Sequence, residues 1–258
     1  MEINFAKNKT IVDEVPGDAK EMLAPGGRWW SGGDYWSHIS LVHREGEEWG
    51  QLKGYDIKRD AKGNPVLTPN GLYQTTDNPV YFGSVLPDFT GGFTNVFTYK
   101  NFALGAHFTF QKGGKFFSGS EVWGYYSGLY EETGLNGNRE AGVDVKGVDT
   151  NGNEVSYNVD ARTYFKQYFN NNISGPFIHD ASYFKLRELN FTYTLPKNVL
   201  GKYLKGASIS LIGTNLWLIA VSKDNYHRWD PSELSQPYGE DAQLPGTKRY
   251  GVNIKLQF

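Results

Sequence analysis

Cysteine is missing from this 258-residue chain, methionine occurs twice, and no stretch is long and apolar enough for a membrane helix. The lack of cysteine excludes disulfide frameworks, thiolate metal sites and cysteine nucleophiles. The lack of a long apolar run leaves strands untouched, because a transmembrane β-barrel shows lipid only every second residue and keeps a low mean hydropathy. Neither charge dominates: 26 Lys and Arg stand against 28 Asp and Glu, a formal net charge of -2. The chain as a whole therefore offers no basic field for nucleic acid or anionic headgroups. Its opening, "MEINFAKNKT", has no basic segment followed by an apolar one, so no secretory signal is expected there.

Catalytic patterns are absent too. The five histidines, His38, His43, His107, His179 and His227, show no metal-ligand spacing, and there is no nucleophile elbow or phosphate-binding glycine loop. The pairs Glu47–Glu48 and Glu131–Glu132 are adjacent residues, which point apart in extended chain. Asp230, Glu233 and Asp241 match no calcium loop. The expectation is a chain with no enzymatic activity, no cofactor and no metal.

Aromatics, in contrast, make up 16% of residues, and the chain also has 31 glycines, a composition that favours strands joined by tight turns. In "TGGFTNVFTYKNFALGAHFTFQKGG", Phe93, Phe97 and Tyr99 share one face, as do Phe102, Leu104, Ala106, Phe108 and Phe110, across a two-residue turn at Lys100-Asn101. Asn95 is the misfit. "LRELNFTYTLP" sets Leu189, Phe191, Tyr193 and Leu195 against polar neighbours and stops at Pro196. "GASISLIGTNLWL" and the closing "KRYGVNIKLQF" alternate likewise, the latter with Tyr250, Val252, Ile254, Leu256 and Phe258 on one face. With "EINFAKN" and two arms of "HISLVHREGEEWGQLKGYDI", about eight strands are expected. "ARTYFKQYFNN", 161–171, reads as a helix packed inside a loop.

Connections alternate in length. Short turns fall near 45–48, at 100–101 and over 197–205; long links run over 8–38, 58–90, 112–182 and 219–247. Ordinary domains rarely carry several such links without structure. A barrel with short periplasmic turns and long extracellular loops carries them as its normal form, and parity puts Phe258 on the short-turn side. Aromatics at both strand ends fit two interfacial girdles. Alternation by itself favours a soluble β-sandwich, which loop parity and the last Phe outweigh. The fold class expected is all-β, an antiparallel transmembrane β-barrel segment. A secreted carbohydrate-binding sandwich and a complete small barrel of about eight strands remain the alternatives.

Three loop stretches concentrate aromatics: "GGRWWSGGDYW" with Trp29, Trp30, Tyr35 and Trp36, "EVWGYYSGLYEE" with Trp123, Tyr125 and Tyr126, and "NYHRWDPSE" with Tyr226 and Trp229. Flat exposed rings can stack on sugars or anchor a partner. Packing within the loops, or a place at the membrane interface, is the other reading, and both stay open.

The ordered set "REGEEWGQLKGY", "DAKGNP", "PDFTGGFTNVFTYKNFALGAHFTFQKGG", "DASYFKLRELNFTYTLPKNVL", "SISLIGTNLWLI", "WDPSE" and "KRYGVNIKLQF" resembles the carboxyl-terminal part of the SusC/RagA family of TonB-dependent outer-membrane transporters, over nearly the whole chain. The resemblance implies that residues 1–258 are part of a 22-stranded barrel that sits in outer-membrane lipid and imports glycans, oligosaccharides or peptides with a SusD-like surface lipoprotein. It also implies that TonB acts through an amino-terminal box and plug, neither of which is found in this sequence. In such barrels the last strand is read by the barrel-assembly machinery, a role that Tyr250, Val252, Ile254, Leu256 and Phe258 would fill.

Overall fold

The computed structural model describes residues 1–31, 37–201 and 203–258. The chain leaves a first strand, β1 (Glu2–Ala6), and forms β2 (Glu21–Ser31), β3 (Ser37–Arg44), β4 (Gln51–Gly54) and β5 (Val80–Ser84). It then makes the hairpin of β6 (Phe89–Tyr99) and β7 (Phe102–Lys112). A long excursion follows: β8 (Lys115–Ser118), α1 (Gly119–Ser127), α2 (Asn138–Ala141), β9 (Val143–Val148), β10 (Glu154–Val159), α3 (Ala161–Asn170) and β11 (Ile178–Asp180). The second hairpin is β12 (Tyr183–Thr194) with β13 (Gly206–Val221), and β14 (Gly239–Glu240) precedes β15 (Arg249–Gln257).

Six of these strands form one antiparallel sheet in the order β1-β6-β7-β12-β13-β15, which we call the wall. Its register aligns the alternating residues into rows, because directly opposed residues share a face. Tyr99, Phe102, Tyr193, Ile209 and Ile254 form one outer row, and Phe97, Leu104, Phe191, Leu211 and Val252 the next. Phe93, Phe108 and Phe184 stack on the same face, with Phe93–Phe108 centroids 4.8 Å apart and Phe108–Phe184 5.5 Å apart. Asn95 sits in this outer face opposite Ala106, so the misfit in the pattern is real. The other face is polar: Thr94, His107, Glu188, Thr214 and Arg249 form a row, and Thr98, Ala103, Thr192, Ser210 and Asn253 another. Thr94 Oγ1 and His107 Nδ1 are 2.9 Å apart, and Thr192 and Ser210 hydroxyls 2.8 Å.

The outer face is uncovered. Phe97, Leu211, Trp217, Val252 and Ile254 are all more than half exposed. A sandwich would bury such a face under a second sheet; no second sheet lies on it among the described residues. The antiparallel segment with short turns at one end and long links at the other is thus the observed architecture.

Two expectations need correction. The wall has six strands rather than about eight, because the arms of "HISLVHREGEEWGQLKGYDI" pair elsewhere, in the four-stranded sheet β2-β3-β4-β5. The physical reason shows at Leu41 and Val42: these neighbours point to opposite faces of β3 and both are buried, so β3 is covered on two sides. The long links are also not structureless. Residues 7–31, 37–88, 113–182 and 222–248 fold together as a cap over one end of the wall, with a core that joins Trp29, Ile39, Leu41 and Leu52 to Phe117, Val122, Tyr125, Phe165, Phe177 and Tyr238. A smaller cluster of Leu67, Val145 and Val159 packs under the β9–β10 hairpin.

The expected helix at 161–171 is present as α3, started by Asp160, whose carboxylate accepts from Thr163 N at 2.9 Å. Two exposed turns repeat one device. Asp60 accepts from Lys62 N and Asn64 N, and Asp149 from Asn151 N and Asn153 N, with Gly63 and Gly152 at φ +87° and +86°. Bonds from Asn64 and Asn153 respectively hold the pKa values of the two carboxylates below the ordinary range.

Candidate functional site

The polar centre of the cap is assembled at the start of α1. Ser118 is the N-cap, accepting from Glu121 N at 3.2 Å, while its hydroxyl donates to Glu240. Glu240 also accepts from Ser120 N at 3.1 Å and from Ser120 Oγ at 2.6 Å, so a buried carboxylate closes the positive end of the helix. Burial pushes its pKa up in spite of those three donors. One helical turn on, the buried Glu121 carboxylate meets His179 Nε2 at 2.8 Å and accepts from Trp229 Nε1 at 2.9 Å. These contacts tie α1 to β11, β14 and the link 222–238.

A second cluster fastens the cap to the wall. Lys185 of β12 is almost completely buried; its ammonium bonds Asp230 at 2.5 Å, Glu233 at 3.1 Å and Ser232 at 3.2 Å. The register of β12 slips at Arg187 against both neighbours, and this bulge re-aims the guanidinium. Arg187 then donates to Thr109 Oγ1 at 3.2 Å and to Glu233 at 3.1 Å. At the outer edge of the cap, Glu21 is bound by Lys53 and by the Tyr81 hydroxyl, which donates at 2.6 Å. Partial burial opposes ionisation of Glu21, but the Lys53 and Tyr81 bonds, with Arg44 nearby, hold its pKa below the usual range.

Tyrosine hydroxyls form a network through the cap core. Tyr73 and Tyr164 oxygens are 3.1 Å apart, Tyr168 donates to Tyr164 at 3.3 Å, and Tyr125 and Tyr226 are 2.8 Å apart. Burial raises the pKa of each of these phenols, and that of Tyr238 is pushed up to about 12. They therefore stay neutral, and the bonded pairs hold the cap segments together through hydroxyl contacts.

The loop aromatics singled out from the sequence divide. Trp29 is a correction as a surface contact: it is 2% exposed and packs against Phe117 at 4.9 Å and Trp123 at 6.0 Å. Trp123 lies half-buried on Phe169 at 4.9 Å. Trp229 is engaged with Glu121 as above. Tyr126 is the partly open one, with the Lys166 ammonium 4.2 Å from its ring centre. It lines a cleft of about 440 Å³ with Arg139, Arg162, Lys166, Phe165 and Asp160. A second cleft of about 480 Å³ lies where Trp229, Trp217, Asp230 and Glu233 meet Lys248. Tyr35 and Trp36 lie outside the described residues, as does the side chain of Trp30. The structure thus links Trp29 to Tyr126 through Trp123, and joins Trp229 to the same helix through Glu121.

Sequence reading missed α1 within "EVWGYYSGLYEE". Its signal was legible: Ser118 followed three residues later by Glu121 is the capping-box spacing. It also missed Glu240, His179 and Lys185, whose partners lie 45 to 122 positions away in sequence.

An open antiparallel wall with an apolar outer face, a polar inner face, short turns below and a folded cap above defines a β-barrel segment. No family model matches the chain. It is 26% identical over 99% of its length to TonB-dependent receptor P3 of Formosa agariphila, and covers 26% of that protein. Its fold superposes on the RagAB peptide transporter with a TM-score of 0.63 at 19% identity, covering 99% of this chain and 27% of that one. The RagAB peptide importer in its closed-closed state gives the same TM-score at 20% identity and the same coverage. The chain therefore spans about a quarter of the length of these relatives; it resembles a TonB-dependent receptor in sequence and RagAB in fold.

Proposed function

We propose that this chain is a wall-and-cap portion of an outer-membrane TonB-dependent transporter of a Gram-negative bacterium. The observation that carries this reading is the uncovered apolar face of the wall, set against the buried polar and aromatic core of the cap. Lipid would cover the first, and the cap would stand outside the membrane above it. In this reading the complete transporter imports oligosaccharides or peptides, a SusD-like lipoprotein meets the cap, and TonB acts through amino-terminal regions beyond this sequence. The likeness to RagAB, whose name states peptide transport, supports the peptide side of that substrate class. Tyr126, Trp123 and Trp229 are the cap aromatics we assign to substrate or partner contact, together with Trp30, Tyr35 and Trp36 of the Trp-rich loop. Tyr126 is the leading member, since its ring borders a cleft rimmed by three cationic side chains.

Among the described residues the strand β15 pairs with β13 alone, and Tyr250, Val252, Ile254 and Leu256 are exposed on its outer face. We assign to it, with Phe258, the strand that the barrel-assembly machinery reads. The alternative of a secreted carbohydrate-binding sandwich has the burial of Trp29 and the bare wall face against it.

Expression with a signal sequence, membrane fractionation and gel mobility in detergent before and after heating test the reading. Recovery in the outer membrane with heat-modifiable mobility, lost on deletion of Phe258, is the expected result. A soluble, monodisperse protein with intact β circular dichroism would overturn it.

A further inference from the structure

The whole-chain charge is close to balanced, but its distribution is not. The described residues at the short-turn end of the wall are 96–104, 191–201, 203–209 and 253–258. These hold Lys100, Lys197, Lys205 and Lys255, and no acidic side chain. The strand ends are knitted into one rim: Thr194 N donates to Asn101 O at 2.8 Å, and Lys205 N to Gln257 O at 2.7 Å. Lys100, Lys197 and Lys205 are exposed, and none of them enters an ion pair among the described residues. Lys255 is set apart, because its register with Ser208 places it on the polar inner face.

Apolar groups accompany these charges. The Lys100 ammonium lies 5.4 Å from the ring centre of Tyr99, itself 70% exposed, and Val199 and Tyr203 are exposed in the turn that carries Lys197 and Lys205. Lysine stems can follow apolar surface while the ammonium stays in water, and aromatic rings settle where hydrocarbon meets headgroups. The rim therefore presents both halves of an amphiphile's counterpart: rings and methyls at the level of the acyl chains, and hydrated point charges just beyond them. Fixed cations on an exposed rim attract anionic headgroups over a Debye length.

We propose that this rim binds the phosphate-bearing headgroups of anionic phospholipids in the leaflet next to the short turns. The inference rests on the barrel-wall reading and names the lipid class that the reading leaves open.

The test uses the complete polypeptide that carries this sequence, purified in detergent and placed in nanodiscs of phosphatidylglycerol with phosphatidylcholine. Native mass spectrometry counts the lipids retained. The expected result is at least a five-fold preference for phosphatidylglycerol, reduced to parity in a Lys100→Gln, Lys197→Gln, Lys205→Gln triple variant. The corresponding Lys→Arg triple variant keeps the preference, which separates charge from loss of folding. Parity in the natural protein, or an unchanged preference in the Gln variant, overturns the inference. Displacement of the lipid by millimolar inorganic phosphate overturns it as well, by assigning the lysines to a free anion. A protein with heat-modifiable mobility and no preference defeats this inference alone; one that is soluble, without heat-modifiable mobility, defeats the barrel reading and this with it.

Discussion

Wall and cap use the same kind of residue in opposite directions. On the wall, Phe97, Leu211 and Ile254 stand out from the sheet and remain largely exposed, while the cap closes Trp29, Phe117 and Phe177 into a core that is almost fully dry. The difference lies in what each strand has on its two sides. A wall strand is polar on one face and apolar on the other; β3 of the cap is buried on both, as Leu41 and Val42 show. Burial of aromatic surface thus stabilises the cap from within, whereas the wall depends on its surroundings to cover its apolar rows.

The sharpest way to break this contrast is to remove one ring from each region. Trp29→Ala should cost about 3–5 kcal/mol, since a fully buried large side chain leaves a cavity. Phe191→Ala, on the wall, should stay within about 1 kcal/mol in detergent, since its ring is 41% exposed and rests on Phe102 on one side. Chemical unfolding of both variants in the same detergent, followed by tryptophan fluorescence, measures the gap; equal losses would mean that the two regions are not packed differently.

Charge tests the two faces of the wall. Leu211→Arg puts a guanidinium on the outer face and should reduce folding into vesicles by about 2–4 kcal/mol, whereas Asn253→Arg, on the inner face, should change it little. Folding yields into lipid vesicles, read by gel mobility, should separate the pair. If both variants fold alike, the outer face is not in contact with lipid.

Lys185→Met addresses the joint between the regions. Asp230 and Glu233 would lose their common cation, and because both carboxylates are about a quarter exposed the cost should be about 1–3 kcal/mol, below that of a fully buried pair. Limited proteolysis should then cut the link 222–248 before the wall; unchanged protection would mean that the cluster does not fasten the cap.

The smallest effect is expected at Glu240. Its folded-state pKa is raised above the ordinary value of 4.5, so the folded form holds the proton more tightly than the unfolded one. That contribution to stability is complete below the unfolded pKa and is lost as pH rises through the folded pKa. Glu240→Gln lacks this dependence, so its melting temperature relative to the natural protein should climb as pH rises from acid to neutral. A constant offset across that range would show that the carboxyl does not titrate in the folded cap.

What could be read from sequence follows the same division. Alternation located β6, β7, β12, β13 and β15 because one side of each is polar, and the turn at Lys100-Asn101 and the stop at Pro196 marked their ends. The same alternation misplaced the β3–β4 hairpin: "HISLVHR" has polar residues at the right spacing, but its position between two layers depends on Trp29 and Phe117, which no local pattern reveals. Helix α3 was legible from its ring spacing. The polar centre was not, since Ser118 and Glu240 meet across 122 positions and a carboxylate that caps a distant helix carries no local signature.

The core of the cap joins Trp29 to Tyr238, nearly the full length of the chain. The hairpin β6–β7 closes over two residues and β12–β13 over eleven, so both are local and can form early at modest entropic expense. The cap has no such short cut, because its core draws on segments before, between and after those hairpins. High contact order of this kind slows the final search. Order of appearance should therefore run against order of compactness: the bare hairpins come first, and the driest part of the molecule sets last, locking the upper strand ends only once every segment has arrived.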